Sequence, residues 1–230
     1  MLRLNDVTVI YPDKTKAIDK LSLTLDKGES IALIGENGAG KTSLLLAIVG
    51  ILELASGTIE VCDIQLDKKT INEIRTQIGM VFQNPDDQLF MPYIYDDIAF
   101  GCRNIGLPED KIKTRIAQIL DQLDISYLQG RSSLKLSGGE KRIAAIATVL
   151  AMNPSVLMFD EPTAYLDPKA KRTLAETLNK LQYPKIIATH DMAFATEVCN
   201  RLIILKDGRI MADGELALLN DRELMRNYGL

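Results

Sequence analysis

Gly35-Glu36-Asn37-Gly38-Ala39-Gly40-Lys41-Thr42 is the stretch on which the fold turns. It has a glycine, four residues, and then Gly-Lys-Thr. It stands between Ile31 to Ile34, which reads as a short apolar strand, and Thr42 to Leu52, which reads as a leucine-rich helix. In that setting the glycines let backbone N–H groups turn inward around phosphate, and the helix start adds its positive dipole. The Lys41 ammonium can then reach the outer phosphates, and the Thr42 hydroxyl can hold Mg²⁺. Asn37, Gly38, Ala39, Gly40, Lys41, Thr42 and Ser43 are the candidate nucleotide contacts. A plain Gly-rich turn with a surface lysine would not need a strand on one side and a helix on the other.

Upstream of the loop, Leu2, Leu4, Val7 and Val9 and then Ile18, Leu21, Leu23 and Leu25 follow a period near two, broken at Tyr11-Pro12-Asp13-Lys14 and at Asp26-Lys27-Gly28. This predicts an antiparallel opening. Downstream, Gly57 to Val61 and Ile78 to Phe82 read as strands. From Met91 to about Gly130, Ile112, Ile116, Ile119, Leu120 and Leu123 repeat at helical spacing, which predicts a helical insert. The rest alternates: helix Gly139 to Met152, strand Val156 to Phe159, helix Pro168 to Gln182, strand Lys185 to Thr189, helix Met192 to Val198 and strand Leu202 to Leu205. Such alternation predicts an α/β fold whose mainly parallel sheet lies between helices. The expected division is a core from 1–90 and 153–230, with a helical portion at about 91–152.

Val156-Leu157-Met158-Phe159-Asp160-Glu161 places two acids at the end of an apolar strand, and so at the carboxyl edge of the sheet where ligands of open α/β folds bind. Asp160 is the candidate to hold Mg²⁺ through water, beside Thr42. Glu161 is the candidate general base for an attacking water. Alone, two acids after a strand would be a solvated helix start; the phosphate loop changes the balance. His190 follows the strand ending at Thr189 and is placed at the same edge, where it can contact a γ-phosphate.

Composition bounds the partners. Among 230 residues, 47% are hydrophobic and 25% charged, as in an ordinary globular domain, and 27 Lys and Arg against 31 Asp and Glu leave a net charge of −4. No basic field is present to gather nucleic acid. The 3 cysteines, Cys62, Cys102 and Cys199, are far apart and read as reduced, buried thiols rather than a metal or disulfide framework. The longest nearly apolar run, Ile143 to Met152, is short of the ~20 residues that span a bilayer. The first residues lack the build of a signal peptide, so the expected compartment is the cytosol.

Leu136-Ser137-Gly138-Gly139-Glu140 lies upstream of the acidic strand. With it, the set resembles the ATP-binding subunit of ABC transporters: an aromatic at Tyr11, the loop at 35–42, Gln83, the segment 137–140, the acidic pair, Asp167 and His190, in that order along the whole chain. The resemblance implies a single ABC-type ATPase domain over residues 1–230 with a P-loop NTPase core. It implies that Tyr11 stacks on adenine, that Gln83 contacts Mg²⁺ and the reacting water, and that Asp167 bridges two subunits. It also implies that Ser137, Gly138, Gly139 and Glu140 bind the γ-phosphate of ATP held by a second subunit. ATP and Mg²⁺ are the implied cofactors. The implied partners are a second ATPase subunit, identical or closely related, and integral membrane transporter subunits, with the chain peripheral at the cytoplasmic face.

Gln83-Asn84-Pro85-Asp86-Asp87-Gln88, with Asp96-Asp97-Ile98-Ala99-Phe100-Gly101 and Glu140-Lys141-Arg142, resembles the energy-coupling-factor importers of cobalt, nickel and vitamins. Asp86 and Asp87 are expected in an exposed loop with no local basic partner, free to meet arginines of a membrane subunit. Two departures stand out: a bulky Tyr165 where the family has a small residue, and no extra C-terminal domain of the kind many group members carry. The competing reading is a soluble ABC-type ATPase of DNA repair or translation, or the ATPase of another importer or exporter. The sequence has neither the heptad run nor the second phosphate loop of the soluble relatives.

Overall fold

The computed structural model describes residues 1–230, the side chains at 222, 224 and 227 excepted. The antiparallel opening forms from β1 (Leu2–Ile10) and β2 (Lys16–Leu25), with Leu2 opposite Leu25 and Leu4 opposite Leu23. Between them, the Tyr11 N–H donates to the Thr15 carbonyl at 2.9 Å and the Lys14 N–H to the Tyr11 carbonyl at 2.8 Å, which closes the turn. The apolar alternation buries one face of this ribbon. β4 (Ser56–Val61) pairs on the other side of β1, and β5 (Ile64–Gln65) completes a 4-stranded sheet in the order β2-β1-β4-β5.

The second sheet has 6 strands in the order β10-β9-β3-β8-β7-β6. They are β3 (Ser30–Ile34), β6 (Ile78–Val81), β7 (Val156–Asp160), β8 (Lys185–Ala188), β9 (Arg201–Lys206) and β10 (Arg209–Gly214). All neighbours are parallel except β9 and β10. Because side chains alternate across a strand, each central strand feeds two cores. In β7, Leu157 and Phe159 join the core formed with the helices, whereas Val156 and Met158 join the core shared with the antiparallel sheet.

The helices are α1 (Lys41–Ile48), α2 (Ile71–Gln77), α3 (Ile94–Asn104), α4 (Glu109–Gln122), α5 (Gly138–Leu150), α6 (Pro168–Lys180), α7 (Met192–Val198) and α8 (Arg222–Asn227). α3, α4 and α5 pack on one another as the helical subdomain through Ile98, Cys102, Ile112, Ile116 and Ile146, all buried. One face of the parallel sheet is therefore covered by helices. The other is covered largely by the antiparallel sheet with α1, where the sequence reading expects helices on both faces.

The elements differ from the sequence reading in several places. α1 stops at Ile48, short of the expected Leu52, because Gly50 takes φ +66°, the left-handed conformation that ends helices. β5, α2, β10 and α8 are additional to the sequence reading; α2 buries only Ile74, too little for a helical stripe to register. Of the cysteines, Cys102 and Cys199 are buried, but Cys62 is only half-buried in the turn after β4. Burial pushes the Cys199 thiol up to about 12, which makes it inert. Among the described residues no helix is long and apolar enough to cross a membrane.

Candidate active site

The strand order sets the site. β8 lies between β3 and β7, with Ala188 opposite Leu33 on one side and Asp160 on the other. The segments leaving the carboxyl ends of these three strands, namely the phosphate loop, Glu161 and His190, therefore emerge side by side. They line one cleft of about 520 Å³ together with Tyr11, Asn37, Thr42, Ser43 and Gln83.

The loop itself depends on close backbone contacts. Gly40 caps α1 at φ +104°, and a Cβ there would lie 2.5 Å from the Ala17 carbonyl oxygen; a Cβ on Gly35 would lie 2.3 Å from that of Leu205. Neither position admits a side chain. Lys41 Nζ donates to the Gly35 carbonyl at 2.6 Å and to that of Glu36 at 3.2 Å, and stands 3.7 Å from Glu161 Oε1. Tyr11 and Ser43 share a hydrogen bond of 2.8 Å between their hydroxyls, which holds the aromatic ring at the rim of the cleft.

Glu161 adopts φ +44°, uncommon for a residue with a side chain, while its N–H stays bonded to the Ala188 carbonyl at 2.8 Å. Its Oε2 accepts from His190 Nδ1 at 2.8 Å and from the His190 N–H at 3.3 Å. Nδ1 carries the proton in this contact, since the carboxylate can only accept. Glu161 is thus gripped between a buried ammonium and an imidazole, which fixes the direction of its carboxylate. Asp160, almost wholly buried, accepts from the Thr42 hydroxyl at 2.8 Å on Oδ2 and 3.1 Å on Oδ1. Burial raises its carboxyl above the ordinary range, the Thr42 hydrogen bond works against this, and the Glu161 charge adds to it. The Thr42 hydroxyl and the Asp160 carboxylate are in direct contact, and Gln83 lines the same cleft as Thr42; all three offer oxygen, the donor type that suits a small hard cation such as Mg²⁺.

Ser137, Gly138, Gly139, Glu140 and Asp167 are placed elsewhere. They line a second cleft, of about 450 Å³, with Tyr165. Ser137 begins α5 with a capping box: its Oγ accepts from the Glu140 N–H at 3.3 Å, and Glu140 Oε2 accepts from the Ser137 N–H at 2.9 Å. Asp167 caps α6, accepting from the N–H groups of Lys169 and Ala170 at 2.8 and 2.9 Å. Tyr165 is 95% exposed, at φ +62°.

The segment after Gln83 corrects one expectation. Asp86 has a basic partner, Lys141 of α5, at 2.6 Å, and Pro85–Asp87 form a 3₁₀ turn rather than an open loop. The partner lies 55 residues away in sequence, beyond the reach of a local reading. The Asp87 carboxylate accepts from Asn84 Nδ2 at 3.2 Å. Two residues that the sequence reading assigned no role also hold this segment: Arg142 donates to the carbonyls of Phe82 and Gln83, and Gln88 to that of Ala145. Both stand in the segments that carry the importer resemblance, but their partners lie 57 to 60 residues away, out of reach of a local pattern.

Comparison with known proteins places this arrangement. The chain is 39% identical, over its whole length and 76% of the relative, to the energy-coupling factor transporter ATP-binding protein EcfA of Methanothermobacter thermautotrophicus. Among solved structures it resembles CbiO1 of Clostridium perfringens, described as part of the ABC transporter complex CbiONQ, with 36% identity, a TM-score of 0.86, and 98% of this chain and 93% of that one covered. It also resembles the ATP-binding cassette MJ0796, solved as a dimer in a post-hydrolysis state with ADP and phosphate, with 26% identity, a TM-score of 0.81, and 94% and 99% covered. Since residues 18–164 also match the ABC transporter family, the chain belongs to that family as an ATP-binding, ATP-hydrolysing subunit.

Proposed function

We infer that the chain drives an energy-coupling-factor uptake transporter, as one of two ATPase subunits that close around ATP at the cytoplasmic face of integral membrane partners. The observation that carries the reading is the separation of the two half-sites. The cleft with Lys41, Glu161 and His190 and the cleft with Ser137 and Asp167 share no lining residue among those described. A second copy, or a close relative, would bring its Ser137 helix start, with its outward N–H groups, to the phosphates held by the first.

The chemistry follows from the residues. The phosphate loop and Lys41 hold the phosphates, and Thr42, Asp160 and Gln83 would hold Mg²⁺, which supplies charge neutralisation on the phosphoryl oxygens. Glu161, aimed by Lys41 and His190, accepts the proton of the attacking water. His190 can donate to a phosphate through Nε2 only in its doubly protonated form, because Nδ1 already serves Glu161. Tyr11 offers its ring to the base, and Asp167 faces the partner.

Transmission to the membrane falls to the segment after Gln83 and to α3. Phe90, Tyr93 and Phe100 are exposed there, with the Phe90 and Phe100 rings packed edge to face at 5.1 Å. Asp87 lies three residues before Phe90 in sequence, and among the described residues its carboxylate has Asn84 but no cation as partner. The similarity to EcfA and CbiO1 supports uptake as the direction, and the expected cargo is cobalt, nickel or a vitamin. Purification of the tagged chain from its host's membranes tests the reading. Integral membrane subunits should accompany it, and Asp87→Lys should weaken their retention with ATP binding by the isolated chain unchanged. Recovery of the chain without any membrane subunit would contradict it.

A further inference from the structure

Arg142 lies five positions into α5 from the Ser137 cap and is 1% exposed, yet among the described residues no carboxylate pairs with it. Its two terminal nitrogens donate at 2.6 Å to two successive carbonyls, those of Phe82 and Gln83. Its Nε has no hydrogen-bond partner among the described residues. Burial pulls the guanidinium down only to about 10, so it remains charged at neutral pH. A charge is costly to bury against carbonyl dipoles alone, and simpler packing would serve a purely structural purpose.

The pair of contacts has a specific geometric effect. The Phe82 carbonyl belongs to the peptide plane before the Gln83 Cα, and the Gln83 carbonyl to the plane after it. One rigid guanidinium fork therefore holds both planes and fixes the direction in which the Gln83 side chain leaves the backbone. The same helix grips the segment further along. Lys141 pairs with Asp86 at 2.6 Å, and Gln88 Nε2 donates to the Ala145 carbonyl at 2.9 Å and to Thr148 Oγ1 at 2.7 Å. Segment 82–88 is thus fastened along two turns of the helix that begins at Ser137.

The geometry points to Arg142 as the positioning residue for Gln83, carrying displacement of the Ser137 end of α5 into this chain's own hydrolysis site. α5 moves as a rigid rod, so a partner-held phosphate that draws on Ser137 also shifts the fork and with it Gln83. In a pair of subunits, ATP on one phosphate loop would then adjust Gln83 at the other. This rests on the role of Gln83 at the reacting water.

The test is a double-mutant cycle in the full chain, with Gln83→Ala, Arg142→Lys and both together. Lysine keeps the charge but cannot span two carbonyls. Arg142→Lys should lower kcat by about 10- to 100-fold, the scale of a displaced catalytic group, with the ATP Kd within about twofold. In the Gln83→Ala background the same change should cost less than about twofold, and the amide NMR signals of Gln83 and Asn84 should move while those of Gly38 and Gly40 stay. An equal cost in both backgrounds, or unmoved Gln83 and Asn84 signals, would overturn the positioning role alone. Normal turnover by Gln83→Ala would instead remove the role of Gln83, and the inference with it. Should Arg142→Lys melt below the assay temperature, Gln88→Met, which releases the same segment from α5, should show the same non-additivity, and additivity there would equally overturn it.

Discussion

At the scale of single residues, the site rests on Glu161, whose φ of +44° turns its carboxylate out of the strand direction and toward Lys41 and His190. Strain of this kind is held in place by its surroundings, here the Ala188 carbonyl and a buried ammonium. If Glu161 takes the proton of water, Glu161→Gln should bind ATP normally and release phosphate at least about 10²-fold more slowly. Near-normal turnover would move the base to another residue. The identity of this acid was legible because it follows an apolar strand that also ends in Asp160. Its pairing with His190, 29 residues on, depends on the neighbouring register of β7 and β8, which no local pattern carries.

At the scale of elements, two helix starts carry both structure and function. Asp167 caps α6 and also lies in the cleft with Ser137. These roles separate by substitution. Asp167→Ala should lower stability by about 1 kcal/mol through loss of the cap, whereas Asp167→Asn, an equally good cap, should melt like the unaltered chain. If the charge also bridges subunits, Asp167→Asn should still lose ATP turnover. Full activity in a normally stable Asp167→Asn would leave Asp167 as a cap only. Elements with long apolar runs, such as β3 and β7, were legible to within a residue or two. β10 was missed although Asp207-Gly208 announces it: both residues have positive φ, +49° and +72°, as a two-residue hairpin turn requires. The weak apolar content of Arg209–Gly214, an edge strand with alternate exposure, hid the partner of that turn.

At the scale of the molecule, one parallel sheet brings together a phosphate loop, an acid and a histidine spread over more than half the chain. It leaves the Ser137 helix start facing a different cleft. The order of these motifs was readable, and so was the antiparallel opening, though not that it covers one face of the parallel sheet in place of helices. The fastening of segment 82–88 to α5 was not, because Arg142 meets Phe82 across 60 residues and the contact is to carbonyls, which leave no mark in sequence. The central claim, that each ATP is enclosed by two chains, is tested most directly by mixing two inactive variants. Lys41→Ala lacks the ammonium of the phosphate loop and Ser137→Arg blocks the α5 helix start, so neither homodimer can assemble a working site. In a mixture shown to contain heterodimers, one intact site should form and ATP turnover should rise above that of either variant alone; no rise would contradict a shared site.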